Sequence, residues 1–134
     1  STMIFKLLKR LKGKNDDSSN PIRKIINQTS KALANTNVDT DFDPIYINTE
    51  YTDGDLYVTD ISLRLKRFKD GIILDLCVYH IPFPYQGSVL LKYGSGKELA
   101  DYLADKDAVE TKIRECIPSL ADGLKESAKE LGCY

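Results

Sequence analysis

Asp39, Asp41 and Asp43 alternate in the stretch DTDFDPIYINTE, and Glu50 stands twelfth in it. That is the carboxylate spacing with which an EF-hand loop surrounds calcium. The sixth position of such a loop needs a glycine at positive φ. Here it is Pro44, whose ring holds φ at about −65°. The loop must also open into a helix, whereas Ile45 and Ile47 alternate with Tyr46 and Asn48 as in a strand. The expectation is an acidic loop entering a strand, with no metal. A second stretch, YGSGKE at 93–98, lies between a strand-like and a helix-like run, where backbone amides can hold an anion. A P-loop needs a glycine five positions before the Gly-Lys pair and Ser or Thr after the lysine. Residue 91 is Leu and residue 98 is Glu. A capping box from Ser95 to Glu98 accounts for the stretch without a nucleotide.

His80 is the single histidine. It lacks the partners of a His-based metal site and the spacing of a Cys-His nucleophile pair, so it reads as a strand-end residue packed on Ile61. Cys77, Cys116 and Cys133 are odd in number and form no CxxC. They fit a reducing compartment and buried or incidental thiols rather than a disulfide framework. Tyr46, Tyr51, Tyr57, Tyr79 and Tyr93 fall on strand-like runs near Arg64 and Lys66, an arrangement that can stack on nucleic acid. Acidic segments flank it, however, and tyrosines suit half-buried sheet rims, so no nucleic-acid partner is expected. No catalytic group, cofactor or metal site follows from these residues, and an enzyme is the third-ranked reading.

The elements that must position these residues follow from periodicity. Ile4, Leu7, Leu8 and Leu11 recur at helical spacing, with Lys6, Lys9, Arg10 and Lys12 on the remaining positions. GKNDDSSN at 13–20 reads as a flexible polar linker. Asn20 and Pro21 suit an N-cap and first helical position, and Ile22, Ile25, Ile26, Thr29 and Leu33 carry a helix to about Asn35. Strands are predicted from Ile45, over Leu56–Phe68, over IILDLCVYHI from Ile72, and over SVLLKY from Ser88. The third is apolar on both faces and is expected to be covered on both. A short helix to Ala104 and a long one from Lys106 follow. The long one carries Val109, Ile113, Ile117, Leu120, Leu124, Ala128 and Leu131, is kinked at Pro118 and ends at Gly132.

Turn chemistry sets the expected registers. A two-residue turn at Asp70-Gly71 places Leu63 opposite Val78, Leu65 opposite Leu76, Ile61 opposite His80 and Lys66 opposite Asp75. A three-residue loop centred on Gly54 places Ile47 opposite Ile61 and Ile45 opposite Leu63, since a two-residue loop would set Ile47 against Asp60. The fold class is α+β: a four-stranded antiparallel meander with two N-terminal and two C-terminal helices. Residues 1–20 form a basic amphipathic helix with its linker, and residues 21–134 a single domain.

Composition is that of a globular protein, 42% hydrophobic and 29% charged, with net charge −1. The charge comes in blocks: eight bases within residues 1–31, seven acids and no base within 39–60, then Arg64, Lys66, Arg67 and Lys69. No apolar run reaches the roughly 18 residues of a transmembrane helix, and the start is too broken by lysines for a secretory signal. Size, mild acidity and the sheet with flanking helices resemble, in general terms, small bacterial secretion chaperones and toxin-immunity proteins. The order of elements departs from the chaperone pattern, so no residue role carries over. The leading expectation is a cytoplasmic, non-catalytic binding protein, as a monomer or homodimer, acting through surfaces on a protein partner. Ile4, Lys6, Leu7, Leu8, Lys9, Arg10, Leu11, Arg64 and Lys66 are the candidate partner or membrane surface. Phe68, Ile73 and Tyr79, with Cys77, form a semi-apolar second sheet face. The alternative is a peripheral protein held by residues 3–14 at an anionic inner membrane face.

Overall fold

The computed structural model describes residues 20–34, 44–53, 56–68, 71–79 and 83–132. The expected helix at 4–12, the acidic triplet Asp39, Asp41 and Asp43, and His80 and Cys133 lie outside these residues. The described elements are α1 (Pro21–Ala34), β1 (Ile47–Asp53), β2 (Leu56–Phe68), β3 (Gly71–Val78), β4 (Tyr85–Lys92), α2 (Leu99–Ala104) and α3 (Lys106–Glu130). The strands form one antiparallel sheet in the order β1-β2-β3-β4, each paired with its neighbour in sequence. This is the expected meander in an α+β fold.

Asn20 caps α1 as its type and position predict: its Oδ1 accepts from the Ile22 amide at 3.0 Å, and Pro21 needs no such partner. The apolar stripe of α1 is buried from Ile22 to Leu33. α1 packs on β1 and β2, and α3 on β4, while the three helices touch one another. The core therefore lies between this helix layer and one sheet face, formed by Ile61, Leu63, Leu65, Ile72, Leu74, Leu76 and Val78. Asp105 caps α3 by accepting from the Ala108 amide at 3.2 Å. The helix continues through Pro118, and Gly132 follows it at φ 72°. Leu131, expected on the buried stripe, is exposed instead, because the helix ends one residue before it.

The second hairpin corrects the expected register. Phe68 pairs with Gly71, so Leu63 lies opposite Leu76, Leu65 opposite Leu74 and Ile61 opposite Val78. Arg64, not Lys66, faces Asp75. The slip is two residues, an even number, so every side chain keeps its predicted face while changing its partner. Gly71 is a ladder residue, not a turn residue. A Cβ there would collide with the Leu91 carbonyl oxygen of β4, so the strand approaches its neighbour where only glycine fits.

The first hairpin also differs. Asp53 pairs with Leu56, a two-residue closure, and Ile47 pairs with Leu63. Between Thr49↔Ile61 and Tyr51↔Val58 the register shifts, leaving Thr59 and Asp60 against Glu50. Asp60 takes φ 55°. The extra residue moves the buried phase of β2 from Leu56 and Val58 to Ile61, Leu63 and Leu65, so a bulge rather than a longer loop reconciles the two apolar sets.

Three smaller corrections follow. β4 begins at Tyr85, because Tyr85, Gln86 and Gly87 pair with Val78, Cys77 and Leu76, and β1 begins at Ile47. The capping box does not form: Lys97 donates its amide to the Gly94 carbonyl at 3.0 Å in a turn, and Glu98 caps α2 without a side-chain bond. β3, by contrast, is buried on both faces as expected, at every position but the half-buried Ile73. On the face away from the core, Asp75 and Cys77 are 3% and 1% exposed, and Asp75 is bonded to Arg64 of β2 and Gln86 of β4.

Candidate functional site

From Ser62 onward the even-numbered residues of β2, with the odd-numbered residues of β3, project from the sheet face away from the described helices: Ser62, Arg64, Lys66 and Phe68 beside Ile73, Asp75 and Cys77. Gln86, Ser88, Leu90 and Lys92 of β4 continue this face. At its centre Arg64 Nε donates to Asp75 Oδ2 at 2.6 Å, and Nη1 donates to the Tyr46 hydroxyl at 2.7 Å. The guanidinium carbon lies 5.4 Å from the Tyr46 ring centre. Gln86 Nε2 donates to the same Asp75 oxygen at 3.4 Å. Burial works against the Arg64 charge, but the bonds to Asp75 and Tyr46 outweigh it and raise its pKa. The charge is held in place by the pairing, with the Asp75 side chain 4% exposed and that of Arg64 16% exposed.

Beside this clamp, Tyr46, Asn48, Asp60, Ser62 and Tyr79 line an open groove of about 440 Å³. Ser62 Oγ donates to Asn48 Oδ1 at 2.7 Å across the β1–β2 pair. The bulge puts Asp60 on the groove wall, in the left-handed conformation that Asp tolerates better than most residues. Tyr46 and Tyr79 are among the most exposed large side chains, at 45% and 54%, and bring both apolar area and hydroxyls to the rim. At the far end of the face, Phe68 and Leu90 are exposed and Ile73, which pairs with Leu90, is half-buried.

The predicted residues divide accordingly. Arg64, Lys66, Phe68, Ile73 and Tyr79 share the open face, with Lys66 exposed and Arg64 locked. The predicted set Ile4 to Leu11 lies outside the described residues. Sequence reasoning did not select Asp75, Asn48, Ser62, Asp60 or Gln86. The alternation that placed Arg64 and Lys66 on one face carried the signal for Asp75 and Ser62. Asp60 depends on the bulge. Glu50 belongs to β1 and not to a helix, which is the strand expected after the acidic stretch and not the exit of an EF-hand.

Burial pushes the Cys77 thiol up, so it stays protonated near neutral pH and is a poor nucleophile. Among the described residues, no three His, Cys, Asp or Glu side chains converge as a metal site. The face offers aromatic area, a fixed cation and hydroxyl and amide groups at an open groove. No family model matches this chain, and neither a curated protein nor a solved structure matches it.

Proposed function

We propose that this chain is a non-catalytic binding protein of a reducing cytoplasm that engages a protein partner through the open face of its sheet. The observation that carries the reading is the Arg64–Asp75–Tyr46 clamp, a pre-ordered charged group on the face away from the described helices, with Tyr79 beside it and Phe68 and Leu90 at the rim. Tyrosine and arginine in fixed positions dominate the energetics of protein interfaces, because little side-chain entropy is lost when they are covered. A photo-cross-linking side chain at Phe68 or Tyr79 tests it. The expected result in cells is a discrete cross-linked protein from both positions and none from Asp122, which is exposed on α3. Cross-links from Asp122 alone, or from none of the three, would overturn the reading.

A second reading rests on sequence. Residues 4–14 carry five apolar and five basic residues, the composition of an interfacial anchor. None of the described helices is long and apolar enough to cross a membrane, so the association would be peripheral. Sedimentation with anionic vesicles, lost at high salt, is the expected signature.

A further inference from the structure

The sheet has two edges, and they are built differently. β1 carries Glu50 and Asp53, and its pairing with β2 is broken by the bulge at Asp60. Charges and bulges are the devices by which an edge strand is kept from pairing with another chain. β4 has neither. Its eight residues, YQGSVLLK, contain no proline and one charge, Lys92. Its pairing with β3 is unbroken from Tyr85 to Lys92. Among the described residues no strand lies along its outer edge, and no further backbone hydrogen bond reaches β4. On the helix side α3 packs against β4, yet Tyr85 and Val89 remain only half-buried.

We propose that β4 pairs antiparallel with β4 of a second copy of this chain, joining two four-stranded sheets into one of eight strands. With a two-fold axis at Ser88, Gln86 meets Leu90 on the open face, and Gly87 meets Val89 and Tyr85 meets Leu91 on the helix side. Bulky residues then oppose a small one or a smooth apolar one, and the half-buried Tyr85 and Val89 gain cover. Lys92 falls opposite Pro84, outside the ladder, so no like charges are brought face to face. The net charge of −1 per chain leaves little long-range repulsion between copies. An interface closed by a two-fold uses the same strand twice and stops there, which satisfies both edges without propagating.

Sedimentation equilibrium of the full chain, with hydrogen exchange, tests this. A concentration-dependent dimer is expected, with exchange in the peptide covering 85–92 slowing as the dimer fills. Ser88 is exposed but pairs with Asp75 of β3, so Ser88→Lys and Ser88→Asp should both fold, Ser88→Asp with the lower melting temperature because it sets two carboxylates opposite one another. Each should weaken the dimer about fivefold by placing like charges opposite one another, and mixing the two should restore it. A chain that stays monomeric at all concentrations would overturn the proposal. So would a dimer whose exchange protection spares 85–92, or one unaffected by Ser88→Lys. A complex in which 85–92 is protected only on adding an unrelated extended peptide would equally overturn it, since the edge would then serve a different partner.

Discussion

Without the Arg64 guanidinium, the Asp75 carboxylate would stand buried, with Gln86 at 3.4 Å as its remaining side-chain donor. Leaving one half of a buried pair is far worse than removing both. Arg64→Met should therefore destabilise the fold by about 3 kcal/mol or more, while Arg64→Met with Asp75→Leu recovers most of the loss. Urea unfolding of the two variants checks this, and equal stabilities would show that the pair is not coupled. Thr29 presents the opposite case. It is fully buried on α1 and its hydroxyl has no partner among the described residues. Thr29→Val keeps the shape and removes the unpaired group, so it should stabilise by about 1 kcal/mol in the same measurement. The alternation of β2 placed Arg64 on the open face in advance. That it, and not Lys66, meets Asp75 was not legible, because both carry the same charge and lie two residues apart.

α1 and α3 are joined by a polar clamp as well as by their apolar stripes. Glu110 accepts from Arg23 at 2.8 Å, from Asn20 at 2.7 Å and from Arg114 at 3.1 Å. Burial alone would raise the Glu110 carboxyl, but the hydrogen bonds from Arg23 and Arg114 outweigh it and hold it below its ordinary value of 4.5. A carboxyl depressed in the folded state contributes stability above its unfolded pKa, and that contribution is lost as pH falls through the folded pKa. Glu110→Gln should then cost about 1 kcal/mol at pH 7, since the network is partly exposed, and next to nothing once the pH is well below 4.5. Thermal melts of both proteins across that range decide it; a constant difference would separate the clamp from the titration. Both helices were legible from their stripes and caps. Their joining was not, because Arg23 and Glu110 lie far apart in the chain.

For the molecule as a whole, the division at Asn20 is the prediction with most consequence. Asn20 caps α1 and donates to Glu110, so a chain beginning at this residue keeps every described contact of the helix. It should melt within a few degrees of the full chain at the same concentration, and should no longer sediment with anionic vesicles at low salt. A melting temperature lower by many degrees would mean that Ile4, Leu7, Leu8 and Leu11 cover the domain's own core. The β4 edge and the open face are both built from residues after Asn20, so this truncation leaves each in place to be tested by itself.

The order of the described elements, the buried stripes of α1 and, short of Leu131, of α3, and the face of each β2 and β3 residue from Ile61 onward were determined by the sequence alone. These depend on period and on local caps, which are properties of neighbouring residues. Pairing partners were decided by tertiary structure. A two-residue slip costs nothing in alternation, so the choice fell to Gly71, which alone admits the close approach of Leu91, and to the fit of Arg64 against Asp75. The bulge at Asp60 was settled in the same way. Leu56 and Val58 are out of phase with Ile61, Leu63 and Leu65, and only the need to bury both sets under one helix layer forces the chain to absorb the odd residue there.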